Sequence, residues 1–406
     1  MNTGGKALDA FELLTAMYAA QGHKLRNDWL GYIDEKENVK HPGLQHRLAT
    51  FGTAANQKAG VLAGVASTDF LQAIALLHSK AQRLAAMTDK NKKESEWPAV
   101  RATRQSLLDL PLSAYLYYKD AVEAGFERAA KFLMAQKIYR VLDLPYQSQL
   151  VPLAAIFAEI GQKSEHAAHM EKIARWYWCG IFGELYGSAA ETRFARDILE
   201  VPAWLDGGPE PIAVTEGVLR ADRLLTMRTR LSAAYKGLHA LLMREGARDF
   251  RSGQAYDIAV FFDDAVDIHH IFPKAWCEEN EIDEKDYDTV INKTPLSSRT
   301  NRIIGGVAPS KYLHKLEDGR VGPSGQVIEP PIGRSMLDGY LQSHCIPVEV
   351  LWADDFDGFM AARREALLDL VSRVTGNKVL TEELPADEGE ELTEAIALDS
   401  GLLPAE

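Results

Sequence analysis

The chain has 406 residues, of which 46% are hydrophobic and 25% charged, and its formal net charge is −13. This length allows about two or three domains of ordinary globular composition. No apolar run approaches the roughly eighteen residues of a membrane helix, and no secretion signal is seen, which argues against a membrane or secreted protein. The three cysteines never form a CxxC pair, so neither a disulfide framework nor a zinc ribbon is expected, and a cytoplasmic location is predicted.

The first part of the chain predicts helices almost throughout. Asp9 and Glu12 have the spacing of a capping box, and apolar residues recur behind them at helical spacing. Another helix is predicted near Ser67, and a long amphipathic one from Leu224 to Met243. An aromatic block on a further helix is interpreted as core and not as a base-stacking platform: Trp176, Tyr177, Trp178, Phe182 and Tyr186.

Beyond Arg248 the pattern changes to short extended segments separated by polar residues. Extended segments are predicted at 259–262, 266–270 and 290–292. Helices are predicted from Ser297 or Ser298 to Gly305, over 310–316 after Pro309, over 336–341 and over 356–374. The acidic segment after Gly376 is predicted to be disordered.

Two adjacent histidines, His269 and His270, stand at the end of an apolar stretch, and they are followed by Asn292 and, nine positions later, by Asn301. An imidazole can take a proton from water, imidazole and amide groups can bind a hard divalent cation, and a second amide can hold the base in place. Successive strand side chains face opposite ways, so the histidine pair is expected at a strand end or bulge. A lone histidine pair is more often structural, but the ordered set indicates phosphodiester hydrolysis.

The acidic balance is unusual for a protein that contacts DNA, because phosphates are bound mainly by Lys and Arg. Nine of the acids lie within 381–406, and without that segment the charge would be −4. The stretch from Lys293 to Lys315 holds five basic residues and no acid. This local excess is either a phosphate-binding surface or a solvated helix face.

The histidine segment resembles the HNH (ββα-metal) nucleases, and more closely the GmrSD-like proteins of modification-dependent restriction and phage defence. The matching residues are His269 to Lys274, Asn292-Lys293, Thr300 to Ile303 and Pro309 to Leu313. The resemblance extends through the helical region to Asn2-Thr3-Gly4-Gly5, a turn that in the family lies late in an N-terminal nucleotide-hydrolysing domain.

The resemblance implies a role for each residue of the set. His270 would be the general base, oriented by Asn292, and His269 with Asn301 would hold one divalent cation, with Asp267 as a substitute ligand. Mg²⁺ or Mn²⁺ is expected, and Ni²⁺ or Zn²⁺ is not excluded. The expected phosphate contacts are Lys293, Arg299, Arg302 and Lys311. Cys277 is interpreted as a buried thiol.

Pattern and resemblance together predict a mainly α protein with a small ββα unit. The predicted parts are a remnant of the N-terminal domain (1–60), a helical domain (61–247), the HNH unit (248–320), a C-terminal helical segment (321–375) and the acidic tail (376–406). Since most of the nucleotide-hydrolysing domain would be missing, this chain is not expected to hydrolyse nucleotides alone. Three explanations for the missing domain are open: the gene start was assigned too late, the domain is a separate sensor subunit, or the chain is a degraded remnant.

The predicted function is metal-dependent cleavage or nicking of double-stranded DNA, with base-modified DNA as one candidate substrate, in restriction of foreign DNA. The alternative is a non-catalytic helical module that binds a partner defence protein.

Overall fold

The computed structural model of the chain describes residues 9–34, 39–53, 59–187 and 190–380. It is 62% helical with short two-stranded sheets, so the predicted mainly α class is confirmed. The predictions for the turn at 2–5 and for the acidic segment beyond 380 lie outside the described residues. The predicted disorder after Gly376 was wrong for the start of that segment, because Leu380 pairs with Arg220 through backbone hydrogen bonds to Leu219 and Ala221. Within those ranges no helix has the length and apolar character needed to cross a membrane.

The chain divides into two compact units, Met1–Gly217 and Val218–Glu406. The domain boundary predicted at 247/248 therefore falls inside the second unit. Among the described residues, the first unit contains one antiparallel hairpin, β1 (Gly31–Asp34) with β2 (Val39–Pro42). Its helices are α1 (Ala10–Ala19), α2 (Leu25–Leu30), α3 (Leu44–Thr50), α4 (Ser67–Thr88), α5 (Arg104–Leu108), α6 (Leu112–Ala135), α7 (Leu150–Ile160), α8 (Ala167–Phe182), α9 (Ala190–Leu205) and α10 (Ile212–Glu216).

The core of the first unit forms where α4, α6, α7 and α9 pack together. Gly125 permits the close approach of α6 and α7, because a β-carbon there would lie 2.3 Å from the carbonyl oxygen of Ala154. The capping box of Asp9 and Glu12 is present at the start of α1. The aromatic block on and after α8 is buried, which confirms its interpretation as core: Trp176, Tyr177, Trp178, Phe182 and Tyr186.

Inside this core, Asp197 on α9 is buried and accepts hydrogen bonds from Trp176 Nε1 (3.0 Å) and the Tyr186 hydroxyl (2.7 Å). Burial raises the pKa of Asp197 to about 7. The folded state therefore holds the proton more tightly than the unfolded state, and its stability falls as the pH rises from about 4 to about 7. As the pH rises from 5 to 8, ionisation of Asp197 should lower the free energy of unfolding of the first unit by roughly 2–3 kcal/mol.

Asp197→Asn is expected to remove this pH-dependent loss of stability, because an amide has no charge to bury. Urea unfolding followed by tryptophan fluorescence at pH 5, 6, 7 and 8 would measure it. The variant should lose less stability with rising pH than the wild type, and an identical pH slope in the two proteins would contradict the assignment.

The second unit holds the segment with the histidine pair. Its helices are α11 (Arg223–Thr226), α12 (Ala233–Arg244), α13 (Ile258–Asp263), α14 (Lys274–Glu279), α15 (Glu284–Tyr287), α16 (Ser298–Ile304), α17 (Pro309–Asp318), α18 (Arg334–Gln342), α19 (Val348–Trp352) and α20 (Phe356–Thr375). Its strands are β3 (Asp267–His270), β4 (Lys293–Leu296), β5 (Arg320–Val321) and β6 (Val327–Glu329). Strands β3 and β4 form one antiparallel pair and β5 and β6 another.

Three predicted elements of this unit were wrong. Residues 259–262 are helical, because the Asp257 side chain caps α13 by accepting the Val260 amide at 2.9 Å. Residues 290–292 form a 3₁₀ turn, and the second strand begins one residue later, at Lys293. The predicted helix 224–243 is two helices, because backbone groups in the break bond to other segments: the Met227 carbonyl accepts the Val290 amide at 2.8 Å.

The predicted order of strand, loop, strand and helix is present. In the β3–β4 pair, His269 lies opposite Thr294 and His270 opposite Lys293. Helix α16 follows β4 at once, capped by Ser297, and ends at Gly305, whose φ of 55° a glycine adopts without strain. The predicted bounds of α16 and the start of α17 at Pro309 are thus confirmed.

The start of α16 is held by a buried carboxylate, Asp249. One of its oxygens accepts the Ser297 amide at 3.0 Å, and the other accepts the Thr300 hydroxyl at 2.7 Å. Asp249 also accepts the backbone amides of Arg251 and Ser252 in its own turn. Asp249 therefore acts together with the Ser297 cap to fix where the helix that carries Asn301 begins.

Candidate functional site

His270 is the last residue of β3, so the expectation of a strand end is met. Its Nε2 lies 2.8 Å from Asp288 Oδ1, and its side chain is 25% exposed. No described residue is a hydrogen-bond partner of its Nδ1. Burial lowers the pKa of His270, which the hydrogen bond to Asp288 only partly opposes, so the ring is neutral at pH 7. The free nitrogen can accept a proton.

Asn292 bonds the backbone across the loop between the strands. Its oxygen accepts the Phe272 amide at 2.8 Å, and its nitrogen donates to the carbonyls of Phe272 (2.9 Å) and Tyr287 (3.0 Å). The side chain is fully buried, so each of these bonds is shielded from water. These contacts fix the chain two residues after His270, as the predicted orienting role requires, and that role itself stays a prediction.

A buried arginine that sequence patterns did not reveal supports the same loop. Arg363, on α20, donates to the backbone carbonyls of Ile291 and Lys293, on either side of Asn292, and to the carbonyl of His344. Burial lowers the pKa of Arg363 to about 10, so it remains charged at neutral pH. Its donors satisfy carbonyls that would otherwise be buried without partners.

His269 and Asn301 have side chains with no hydrogen-bond partner among the described residues. Burial, together with His270 and Arg230, lowers the pKa of His269, so its imidazole is neutral and can donate a lone pair. Among the described residues no group of three or more His, Cys, Asp and Glu could hold a metal. The imidazole of His269 and the amide of Asn301 could each supply one ligand to a cation, and this assignment stays a prediction.

Asp267, the predicted substitute ligand, and Cys277 both contact other groups of the protein. Asp267 is ion-paired with Arg230, which reduces its availability to a cation. Cys277 is buried with its Sγ 3.6 Å from the Phe272 carbonyl, so the buried-thiol interpretation is confirmed.

The four basic residues predicted to contact phosphate differ in accessibility. Lys293 is buried and binds Asp288 Oδ1 at 2.7 Å and the Arg228 carbonyl at 2.7 Å, which leaves little of its ammonium group accessible to a phosphate. Arg299 is exposed but ion-paired with Glu329 at 2.8 Å. Arg302 and Lys311 are exposed. Of these four residues, the ones with exposed side chains thus lie on α16 and α17.

Asp288 is the site residue that the sequence patterns missed. It lies in the acidic stretch 278–288, where no single acid stands out. The only sequence signal for Asp288 is its position four residues before Asn292. The pairing of β3 and β4 brings this part of the chain beside His270.

No family model matches the chain. The uncharacterized protein MJ0686 of Methanocaldococcus jannaschii is 28% identical over 187 residues, which are 44% of this chain and 30% of that protein. The matched part therefore spans less than a third of that relative's length, and its printed name assigns no activity.

Proposed function

We propose that this protein is a metal-dependent DNA endonuclease or nicking enzyme of the HNH type. The observation that carries the proposal is His270, a neutral imidazole with Nε2 held by a carboxylate and Nδ1 without a partner in the part of the chain that the structure describes. A general base needs this combination of a fixed ring and an open nitrogen. The side chains of His269 and Asn301, which have no hydrogen-bond partner among the described residues, support it.

In the proposed reaction His270 removes a proton from a water molecule through Nδ1 while the water oxygen attacks phosphorus. His269 and Asn301 would hold a divalent cation, which when bound would stabilise charge on the phosphate and the leaving oxygen. Asn292 would keep the strand end and the loop in place during the reaction, because its three hydrogen bonds join both sides of the loop.

The proposed substrate is double-stranded DNA, and the proposed role is restriction of foreign or base-modified DNA in the cytoplasm. The resemblance of the histidine segment to GmrSD-like proteins supports this role, and a separate sensor subunit is the proposed partner. The accessible basic side chains of α16 and α17 would bind the phosphates that flank the cut.

The test is conversion of supercoiled plasmid, and in parallel of phage DNA with modified cytosines, in Mg²⁺, Mn²⁺ or EDTA. Nicked or linear product in metal but not in EDTA is expected. If well-folded protein cleaves neither substrate in any metal, the proposal fails for this chain, and the non-catalytic interaction module is favoured.

The proposed phosphate contacts of Arg302 and Lys311 can be tested separately, by DNA binding. Arg302→Ala with Lys311→Ala should weaken DNA binding, and the slope of log affinity against log salt should become shallower by about 1–2, since each lost contact removes nearly one released counterion. Fluorescence anisotropy with labelled duplex between 50 and about 200 mM salt measures this. A matched control is Lys90→Ala with Lys92→Ala, two exposed lysines of the first unit that carry the same total charge. Equal slopes in the two double variants would contradict the assignment.

A further inference from the structure

Asp288 is the meeting point of the two residues that face each other across the end of the β3–β4 pair. Its Oδ1 lies 2.8 Å from His270 Nε2 and 2.7 Å from Lys293 Nζ. His270 and Lys293 are register partners in the sheet, so both reach one carboxylate from neighbouring strands. The carboxylate is 26% exposed, which leaves it at the edge of the site and not deep in the core.

Lys293 is itself fixed from other directions. Its ammonium group donates to the Arg228 carbonyl at 2.7 Å and lies 5.7 Å from the ring centre of Tyr235. The side chain is buried, so the ion pair with Asp288 is screened by water far less than a surface pair. Burial by itself would raise the pKa of Asp288, but hydrogen bonds from Lys293 and His270 outweigh it and hold the pKa below the usual value.

An ionised carboxylate can only accept hydrogen bonds. His270 must therefore carry its proton on Nε2 when it binds Asp288, and the lone pair stands on Nδ1. With the opposite tautomer, two lone pairs would face each other at 2.8 Å. The geometry thus selects one of two tautomers that are otherwise close in energy.

We propose that Asp288 is a positioning residue that locks His270 in the Nε2–H tautomer, and that Lys293 serves to hold Asp288 in place and does not bind phosphate. This inference rests on the proposed function, since it assigns Nδ1 as the atom that takes the proton. In that step one O–H bond of water breaks, its proton moves to Nδ1, the water oxygen bonds to phosphorus and the P–O bond to the leaving oxygen breaks. The Asp288 charge then stabilises the imidazolium that forms.

The test compares wild type, Asp288→Ala and Asp286→Ala, a control that removes an exposed carboxylate from the same short segment. Proteins labelled with ¹⁵N-histidine are examined by long-range ¹H–¹⁵N NMR at pH 8, and the signal missing from His270→Gln identifies His270. Wild type and Asp286→Ala should show the Nε2–H pattern, and Asp288→Ala a mixture of tautomers. A purely structural role of Asp288 would leave this pattern unchanged.

Cleavage kinetics give the second measurement. Asp288→Ala should lower kcat by about 10- to 100-fold with KM nearly unchanged, a smaller loss than that of the base itself. Asp288→Asn keeps an oxygen that both donors can reach, so it should retain the Nε2–H tautomer and recover part of the loss. It also serves as the variant to use if Asp288→Ala does not fold.

The outcomes separate the two proposals. If wild type does not cleave DNA, the proposed function fails, while the NMR pattern still decides whether Asp288 selects the tautomer. If wild type cleaves and Asp288→Ala keeps both the Nε2–H pattern and the wild-type kcat, this inference alone is overturned.

Discussion

Replacing His270 with alanine is expected to lower the rate of metal-dependent DNA cleavage by about 10²- to 10⁴-fold, the usual contribution of a general base. Alanine has no lone pair to accept the proton of the attacking water. The neighbouring His269 should not substitute, because in the proposed site its lone pair would be given to the cation. Substrate binding should change little, since the proposed phosphate contacts Arg302 and Lys311 lie on α16 and α17 and not on His270.

Single-turnover nicking of a supercoiled plasmid, with enzyme in excess over DNA, measures this effect directly on the chemical step. His46→Ala is the matched control, because it removes an exposed histidine of the first unit. Both variants should unfold at the wild-type temperature to within a few degrees. A His270→Ala protein that cleaves as fast as the control would rule out His270 as the base.

Asn292→Ala is expected to destabilise the second unit by roughly 2–5 kcal/mol, because it leaves buried polar groups without partners. The amide of Phe272 and the carbonyls of Phe272 and Tyr287 all bond to this one side chain. Each unsatisfied group costs about 1–3 kcal/mol, and partial relaxation keeps the total below the sum. Loss of cleavage should accompany the loss of stability, because the loop two residues beyond His270 would no longer be fixed.

Urea unfolding of Asn292→Ala and Asn280→Ala provides the comparison. Asn280 is exposed, and its side chain makes one hydrogen bond, to the Trp276 carbonyl at 2.8 Å, so its loss should cost less than about 1 kcal/mol. Asn292→Asp keeps the acceptor for the Phe272 amide but loses both donors and buries a charge, so it should not rescue stability. If the two alanine variants are equally stable, Asn292 does not anchor the loop.

Local patterns predicted the elements that are formed by neighbouring residues. The start of α16 at Ser298 and its end at Gly305 follow from a capping serine and from a glycine with positive φ. The position of His270 at a strand end followed from the alternation of strand side chains. These features depend on contacts over about four residues, which the order of residues determines.

Patterns failed where distant segments compete for the same backbone groups. The 3₁₀ turn at 290–292 forms in a segment that reads as extended, and its Val290 amide donates to the Met227 carbonyl. Lys293 has the sequence context of a phosphate ligand, yet its ammonium group is buried against Asp288 and the Arg228 carbonyl. No local pattern distinguishes a surface lysine from one that tertiary contacts enclose.

The mainly α class, the ββα order and the candidate set of His269, His270, Asn292 and Asn301 could be predicted from local patterns, because helix caps, strand alternation and residue chemistry act over short distances. The packing of distant segments decides which side chains surround that set. It placed Asp288 on His270 Nε2, enclosed Lys293, and brought Arg363 to the carbonyls beside Asn292 from 72 residues away along the chain. Local patterns could not predict these contacts, because burial and long-range hydrogen bonding depend on how the elements pack.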